Sequence, residues 1–180
     1  MYCEPLQLLD ALSTRELAQV ATPDRAPVIA DDLMDATLRG TDRSAFDPAD
    51  VAIADQALAR IQQALEDADQ LIDGFLRTRK PSPYTVPLDP VPGLVTVWAR
   101  SIARYMLHKD RATPGGESQD PILRDYRDAQ KLLSQVAAGT FSLGGDDPQP
   151  PAGAGSAEIS KGCGVFSDAA LSDFARDYGT

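Results

Sequence analysis

The sequence predicts an all-α fold, a small helical bundle built on one long helix with a flexible Gly/Pro-rich C-terminal arm. Apolar residues recur at alternating spacings of three and four between residues 51 and 75, a pattern typical of a long amphipathic helix. Similar stripes follow at 94–106 and 122–136, and no segment shows a strand signal. Because these stripes must cover one another, we expect a compact bundle rather than an isolated coiled coil.

Two short helices are predicted before the long one. The first follows Pro5, and Ser13 with Glu16 three residues later then forms the pattern of a capping box, in which each side chain binds the other residue's backbone N–H. Pro23 and Pro27 end this second helix. The apolar residues that we expect to face inward are Leu6, Leu8, Leu9 and Leu12 in the first helix, and Leu17 and Val20 in the second.

Residues 22–47 are predicted to be an irregular insertion into the helical domain. Its apolar residues allow one short helical segment, and the run of Gly, Thr, Asp and Ser from 40 to 44 indicates a loop. The residues that would line the face of that short helix are Val28, Ile29, Leu33, Met34 and Leu38.

The long helix is predicted to begin at Asp47-Pro48, an N-cap residue followed by a proline at the first helical position, and to end near Leu76. Residues 47–76 contain seven acids and one base, and we interpret the acids as the solvent-exposed face. Gly74 is expected to permit close packing or a bend. The inward stripe comprises Val51, Ala54, Leu58, Ile61, Leu65, Ala68, Ile72 and Phe75.

A stiff, extended corner joins the long helix to two further helices. Its prolines forbid regular structure (Pro81, Pro83, Pro87, Pro90 and Pro92). The next helix is expected to run to about His108, and the last to run from Asp120-Pro121 to a cap at Gly139. Their inward stripes comprise Leu94, Val95, Trp98, Ile102, Tyr105 and Met106, and then Ile122, Tyr126, Ala129, Leu133 and Val136.

The chain is expected to divide into a helical domain at 1–139, a flexible linker at 140–164 and a C-terminal docking segment at 165–180. The linker is rich in Gly, Pro, Ala and Ser and has no periodicity, so it cannot bury enough surface to offset its ordering entropy. The last segment is apolar and aromatic but too short to fold alone. It therefore docks either on a neighbouring subunit or back on its own domain.

No catalytic, metal-binding or cofactor-binding residues are predicted. The single histidine, His108, has no serine or cysteine nucleophile placed with it by a recognisable motif. Residues 144–147 and 160–164 have neither the P-loop order nor the acids of a calcium-binding loop. Cys3 and Cys163 lie at opposite ends of the chain, which is neither a disulfide framework nor a metal knuckle.

Charge and hydropathy exclude two classes of protein. The formal net charge of −10 and the pI near 4.4 argue against a surface built to neutralise DNA phosphates. No run of 18 apolar residues exists, and the N-terminus lacks the features of a signal peptide, so no membrane association is expected. The only compact basic cluster is Arg77, Arg79 and Lys80. It is weak evidence for nucleic-acid binding, because the preceding helix contributes seven acids.

Residues 63–108 resemble the Mu-like prophage family of small helical virion proteins. The resemblance rests on the order of structural motifs: 64-ALEDADQLIDGFL-76, Arg79, Pro87-Leu88, Val91-Pro92, Ala99, Ile102-Ala103 and Tyr105. Also similar are Met1-Tyr2, Leu9, Tyr126, Ala129, Leu133, Gly139 and Val165-Phe166-Ser167. The chain departs from the family pattern in the insertion at 22–47 and in a longer corner at 80–86.

The resemblance implies a structural protein without enzymatic activity, the head–tail connector (adaptor) of a tailed bacteriophage. Such a protein forms a homo-oligomeric ring, a dodecamer by family resemblance, between the portal protein and a downstream tail-completion or stopper protein. DNA passes through the ring without specific binding. The expected location is the head–tail junction of the virion, after synthesis in the cytoplasm of the host bacterium.

The expected subunit or portal contacts are the basic cluster and the apolar residues of the docking segment, namely Arg77, Arg79, Lys80, Val165, Phe166, Leu171, Phe174 and Tyr178. Two alternatives stay open. One is a tail-completion or terminator protein at the same junction, and a terminator is expected to carry a β-sheet. The other is an all-α regulatory or DNA-associated prophage protein, which would bind duplex DNA in a salt-sensitive manner.

Overall fold

The computed structural model describes residues 1–80, 82–109 and 120–144. In these ranges the chain forms helices and no strand, which confirms the all-α prediction. The elements in order are a 3-10 helix at Pro5–Asp10, α1 at Thr14–Ala21, α2 at Asp31–Arg39, α3 at Pro48–Thr78, α4 at Gly93–His108 and α5 at Pro121–Ala138.

The long helix α3 begins where the sequence predicts and ends two residues later than predicted. The carboxylate of Asp47 accepts a hydrogen bond from the backbone N–H of Ala49 at 2.7 Å, and Pro48 occupies the first turn. With 31 residues, the helix is about 46 Å long at its usual rise per residue. Its fully buried residues are Ala54, Ala57, Ile61, Ala64, Leu65, Ala68, Ile72 and Leu76.

The core of the bundle forms where α3, α4 and α5 pack against one another. Tyr105 of α4 stacks on Tyr126 of α5 with ring centroids 4.0 Å apart and an interplanar angle of 12°. The buried residues of these two helices are Val95, Trp98, Ala99, Ile102, Ala103 and Leu107, and then Ala129, Leu133 and Val136. Leu94, predicted to face inward, is 39% exposed, so the predicted α4 stripe is wrong at its first residue.

The predicted boundary between helical domain and linker falls too early in the chain. Gly139 adopts a left-handed conformation (φ 77°) and ends α5 as predicted. Beyond it, the ring of Phe141 lies 6.3 Å from that of Trp98, and the backbone N–H of Leu143 donates to the hydroxyl of Tyr84 at 3.1 Å. Residues 140–144 are therefore packed on the bundle, and the remainder of the predicted linker and docking segment lies outside the described residues.

The predicted insertion at 22–47 contains a regular helix, α2, which packs against α1 and α3. Leu33 and Met34 are buried, and the hydroxyl of Thr37 donates to the carbonyl of Leu33 at 2.7 Å. Gly40, with φ 64°, ends the helix. The term "irregular" therefore suits only the flanks of α2, and Val28 lies exposed on one of them.

The predicted capping box of α1 forms only in part. The Ser13 hydroxyl accepts from the Glu16 backbone N–H at 3.1 Å, as predicted. The Glu16 carboxylate binds α4 instead: Oε1 accepts from the guanidinium of Arg104 at 3.0 and 2.7 Å and lies 3.2 Å from His108 Nε2. Glu16 therefore joins two helices rather than closing its own first turn.

We expect Glu16→Ala to lower the free energy of unfolding by about 1–2 kcal/mol, because two half-buried side chains of α4 lose a charged acceptor. The matched control is Glu66→Ala on the exposed face of α3, which should change stability by less than about 0.5 kcal/mol. Urea denaturation at neutral pH measures both. Equal losses in the two variants would contradict the role of Glu16 as a link between α1 and α4.

Candidate assembly surfaces

The three bases that follow α3 do not form one exposed cluster. Arg77 has a side chain that is 65% exposed and lies 3.4 Å from Asp73 one turn earlier, and Lys80 is also exposed. Arg79 is half-buried against the end of α5, where a β-carbon added to Gly139 would lie 3.3 Å from Arg79 Nε. Arg77 and Lys80 are thus available to a partner, whereas Arg79 helps to hold α5 on the bundle.

The other predicted contact residues lie outside the described residues, so the structure does not test them: Val165, Phe166, Leu171, Phe174 and Tyr178. The prediction that they contact a neighbouring subunit or the portal stays a prediction.

A polar cluster that the sequence did not predict ties the N-terminus and the proline corner to α3. The hydroxyl of Tyr2 donates to the carboxylate of Asp73 and accepts from the backbone N–H of Leu88 at 3.1 Å. The backbone N–H of Tyr2 donates to both carboxylate oxygens of Asp69, each at 3.1 Å. The interpretation of these acids as a solvent-exposed face is therefore wrong for Asp69 and Asp73, which bind this cluster.

Burial shifts the titration of this cluster. Burial and, after it, the hydrogen bond to Asp73 raise the pKa of Tyr2 to about 12. Burial also raises the pKa of Asp69, although the backbone hydrogen bond from Tyr2 opposes the shift. Tyr2 is consequently neutral across the physiological range, where its hydroxyl donates to Asp73. Neighbouring Cys3 is also buried, which raises the pKa of its thiol to about 11.

Exposed apolar side chains lie on α4 and on the turn before it, and we name them the α4 row: Val91, Leu94 and Val97. These residues are 37%, 39% and 46% exposed. At one end the row borders a cleft of about 320 Å³ between the proline corner and Leu143. At the other end it borders a cleft of about 220 Å³ lined by Ala11 and Ile122. The row therefore continues into concave surface on both sides.

A second exposed apolar feature lies on α3 around Gly74. A shallow, open depression of about 240 Å³, which we name the Gly74 hole, is lined by Gln70, Leu71, Gly74, Phe75 and Thr78. A β-carbon added to Gly74 would meet no atom within 4 Å, so the expected close packing at this glycine is wrong for the described part of the chain. The glycine instead leaves a gap in the helix surface.

The described residues offer no arrangement typical of a metal site, since residues 1–80, 82–109 and 120–144 contain no group of three or more His, Cys, Asp or Glu side chains that could hold an ion. His108 is occupied in helix packing: its Nδ1 lies 2.8 Å from the carbonyl oxygen of Arg104, and its Nε2 faces Glu16. None of the helices in these ranges is both long and apolar enough to cross a membrane.

These features define a small all-α protein with apolar surfaces left uncovered on two of its helices. The chain belongs to the family described as Bacteriophage Mu, Gp36, whose model matches residues 2–161. It is similar to the Mu-like prophage FluMu protein gp36 of Haemophilus influenzae, with 43% identity over 89 residues. That match covers 49% of this chain and 56% of the relative, little more than half its length. No solved structure matches. The protein is therefore a Mu-like phage protein.

Proposed function

We propose that this protein is the head–tail connector of a Mu-like tailed phage, a structural virion component without catalytic activity or cofactor. Copies of the chain form a ring between the portal protein and a downstream tail-completion or stopper protein. The observation that carries the proposal is the pair of exposed apolar features, the α4 row and the Gly74 hole, on a helical bundle of a phage family. Contiguous exposed apolar surface of this kind marks an interaction site.

The charge of the chain supports a role in which DNA passes by without being held. The net charge is −10, and the exposed positions of α3 include several acids, such as Asp50, Glu66 and Asp67. A bore lined by negative charge repels the phosphate backbone, so DNA slides through without binding.

The first experiment removes the gene from an inducible prophage and restores it on a plasmid. We expect the deletion to yield DNA-filled heads and separate, complete tails, because the joint between them is missing. Electron microscopy of the restored virions, with the protein labelled by a C-terminal tag, should place the label between portal and tail. Normally joined particles from the deletion strain would overturn the proposal.

Two alternatives make different predictions. A tail terminator is expected to carry a β-sheet, and the absence of strands from the described ranges supports the connector over it. A DNA-associated regulator would bind duplex DNA with an affinity that falls steeply with salt. We expect no binding to a random duplex at 50 mM salt. Salt-sensitive binding there would support the regulator instead.

The exposed bases after α3 are proposed to contact the portal or the neighbouring subunit. We expect the double variant Arg77→Glu/Lys80→Glu to weaken portal binding roughly tenfold, because charge at an interface rim governs association, while the fold is unaffected. The matched control is Arg15→Glu/Arg25→Glu, which makes the same charge change at two exposed positions in and after α1. Biolayer interferometry with purified portal measures both. Equal portal affinities of the two variants would show that Arg77 and Lys80 do not contribute to the interface with the portal.

A further inference from the structure

In the proposed ring, neighbouring copies contact one another, and our inference about that contact rests on the proposed function. We propose that the Gly74 hole of one copy receives the α4 row of the next copy. The contact is heterologous, meaning that each copy offers a different surface to each of its two neighbours.

The hole has the arrangement into which helical side chains insert. Four of its five lining residues, Leu71, Gly74, Phe75 and Thr78, stand at positions i, i+3, i+4 and i+7 of α3, the arrangement that surrounds a knob in helix–helix packing; the fifth is Gln70. Leu71 and Phe75 are only partly buried in their own core, and Gly74 has no side chain. Nothing in the described part of the chain fills the gap.

The α4 row supplies the knobs. Leu94 and Val97 are three residues apart on α4, so they project from one side of the helix, and exposed Val91 stands two residues before the helix begins. Leu94 is the largest and stands at the centre of the row. The row and the hole share no residue and lie on different helices, so one molecule can use both surfaces at once.

Charge favours pairing of unlike surfaces over pairing of like ones. Arg77, which lies 3.4 Å from Asp73, and Lys80 are exposed within six residues of Gly74, and exposed Asp89 stands two residues before Val91. When a hole meets a row, these opposite charges come together, whereas two holes would bring four bases into proximity. A contact between two different patches generates a ring when the rotation closes, whereas a contact between two identical patches stops at a dimer. A second copy of this chain is therefore the occupant that the surface favours.

The first test separates assembly from folding by filling the hole. Gly74→Gln places a good helix former where nothing lies within 4 Å, so the melting temperature of the monomer should rise by about 2 °C. Self-association, measured by sedimentation velocity, should weaken roughly tenfold or more. The control Ala59→Gln puts the same side chain on another exposed turn of α3, and it should leave association unchanged. Unchanged association of Gly74→Gln would overturn the proposal.

The second test joins the two surfaces covalently in rings assembled with portal. The double variant Gly74→Cys/Leu94→Cys, after oxidation, should give a ladder of covalent dimers, trimers and higher species in denaturing gels. Each single variant should give no ladder, and the parent chain controls for native Cys3 and Cys163. Rings that give no ladder would overturn the hole-and-row contact while leaving the connector proposal intact. A chain that forms no ring in the presence of portal would overturn both.

Discussion

Replacing Leu65 by alanine is expected to lower the free energy of unfolding by about 3–4 kcal/mol, the largest effect of any single change proposed for this protein. Leu65 is completely buried near the middle of α3. α3 packs against both α4 and α5, and side chains in such a closely packed core cannot easily collapse into a cavity. Denaturant unfolding followed by circular dichroism at 222 nm measures the loss.

The matched control for this substitution is Leu6→Ala. Leu6 is the same type of residue but is 40% exposed, so its truncation should cost less than about 1 kcal/mol. Both variants should keep the slope of unfolding free energy against denaturant, because the surface exposed on unfolding is nearly unchanged. Comparable losses at Leu65 and Leu6 would show that the centre of α3 is not the core of the bundle.

The position of Leu65 in the core was predictable from the sequence alone. The side chains of a helix repeat every 3.6 residues, so an apolar stripe of this length fixes both the helix and its inward face. The same holds for the helix ends at Asp47, Asp120 and Gly139, because capping depends on residues within one turn. These features depend on local sequence, and the structure confirms them.

The Tyr2 cluster was not predictable because its partners are far apart in the chain. Tyr2 and Asp73 are separated by 71 residues, and Tyr2 and Leu88 by 86. The spacing of Asp69 and Asp73 places both carboxylates on one side of α3, which is the only local sign of a shared partner. Acidic side chains on a long helix are usually exposed to solvent. The helical pattern therefore favoured an exposed position for Asp69 and Asp73, which was wrong.

The assembly surfaces were predictable only in part. The sequence identifies α4 as amphipathic, but Leu94 lies at the edge of the apolar stripe, where the packing of α5 decides whether a residue is covered. For Gly74 the sequence allowed two expectations, close packing or a bend, because a sequence does not show which atoms surround a glycine in the fold. For the basic corner, the sequence grouped three bases, and only the fold separates Arg79 from Arg77 and Lys80.

Replacing Tyr2 by phenylalanine is expected to lower the free energy of unfolding by about 2 kcal/mol at pH 7. The ring still fills its buried position, but Asp73 loses a donor and the backbone N–H of Leu88 loses its acceptor. The control is Tyr126→Phe, whose hydroxyl accepts from Gln130 of the same helix at 2.7 Å and which should cost less than about 1 kcal/mol.

The loss of unfolding free energy caused by Tyr2→Phe should also depend on pH, and the raised pKa of Tyr2 determines the direction of that dependence. The pKa of a tyrosine is ordinarily 10.0, and the pKa of Tyr2 in the folded protein is about 12. The stabilisation by its neutral hydroxyl is therefore complete below pH 10 and is lost as the pH rises through 12. Burial raises the pKa of Cys3 to about 11 as well, but both chains carry that thiol, so its contribution cancels in the difference between them.

The difference in stability between wild type and Tyr2→Phe should consequently shrink by about 1 kcal/mol between pH 9 and pH 11. Urea denaturation at a series of pH values, at constant ionic strength, gives this difference directly. The difference between wild type and Tyr126→Phe should change less, because Tyr126 is less buried and its hydroxyl has no carboxylate partner among the described contacts. A Tyr2→Phe difference that stays constant to pH 11 would mean that the tyrosine hydroxyl does not join the N-terminus to α3 and the proline corner.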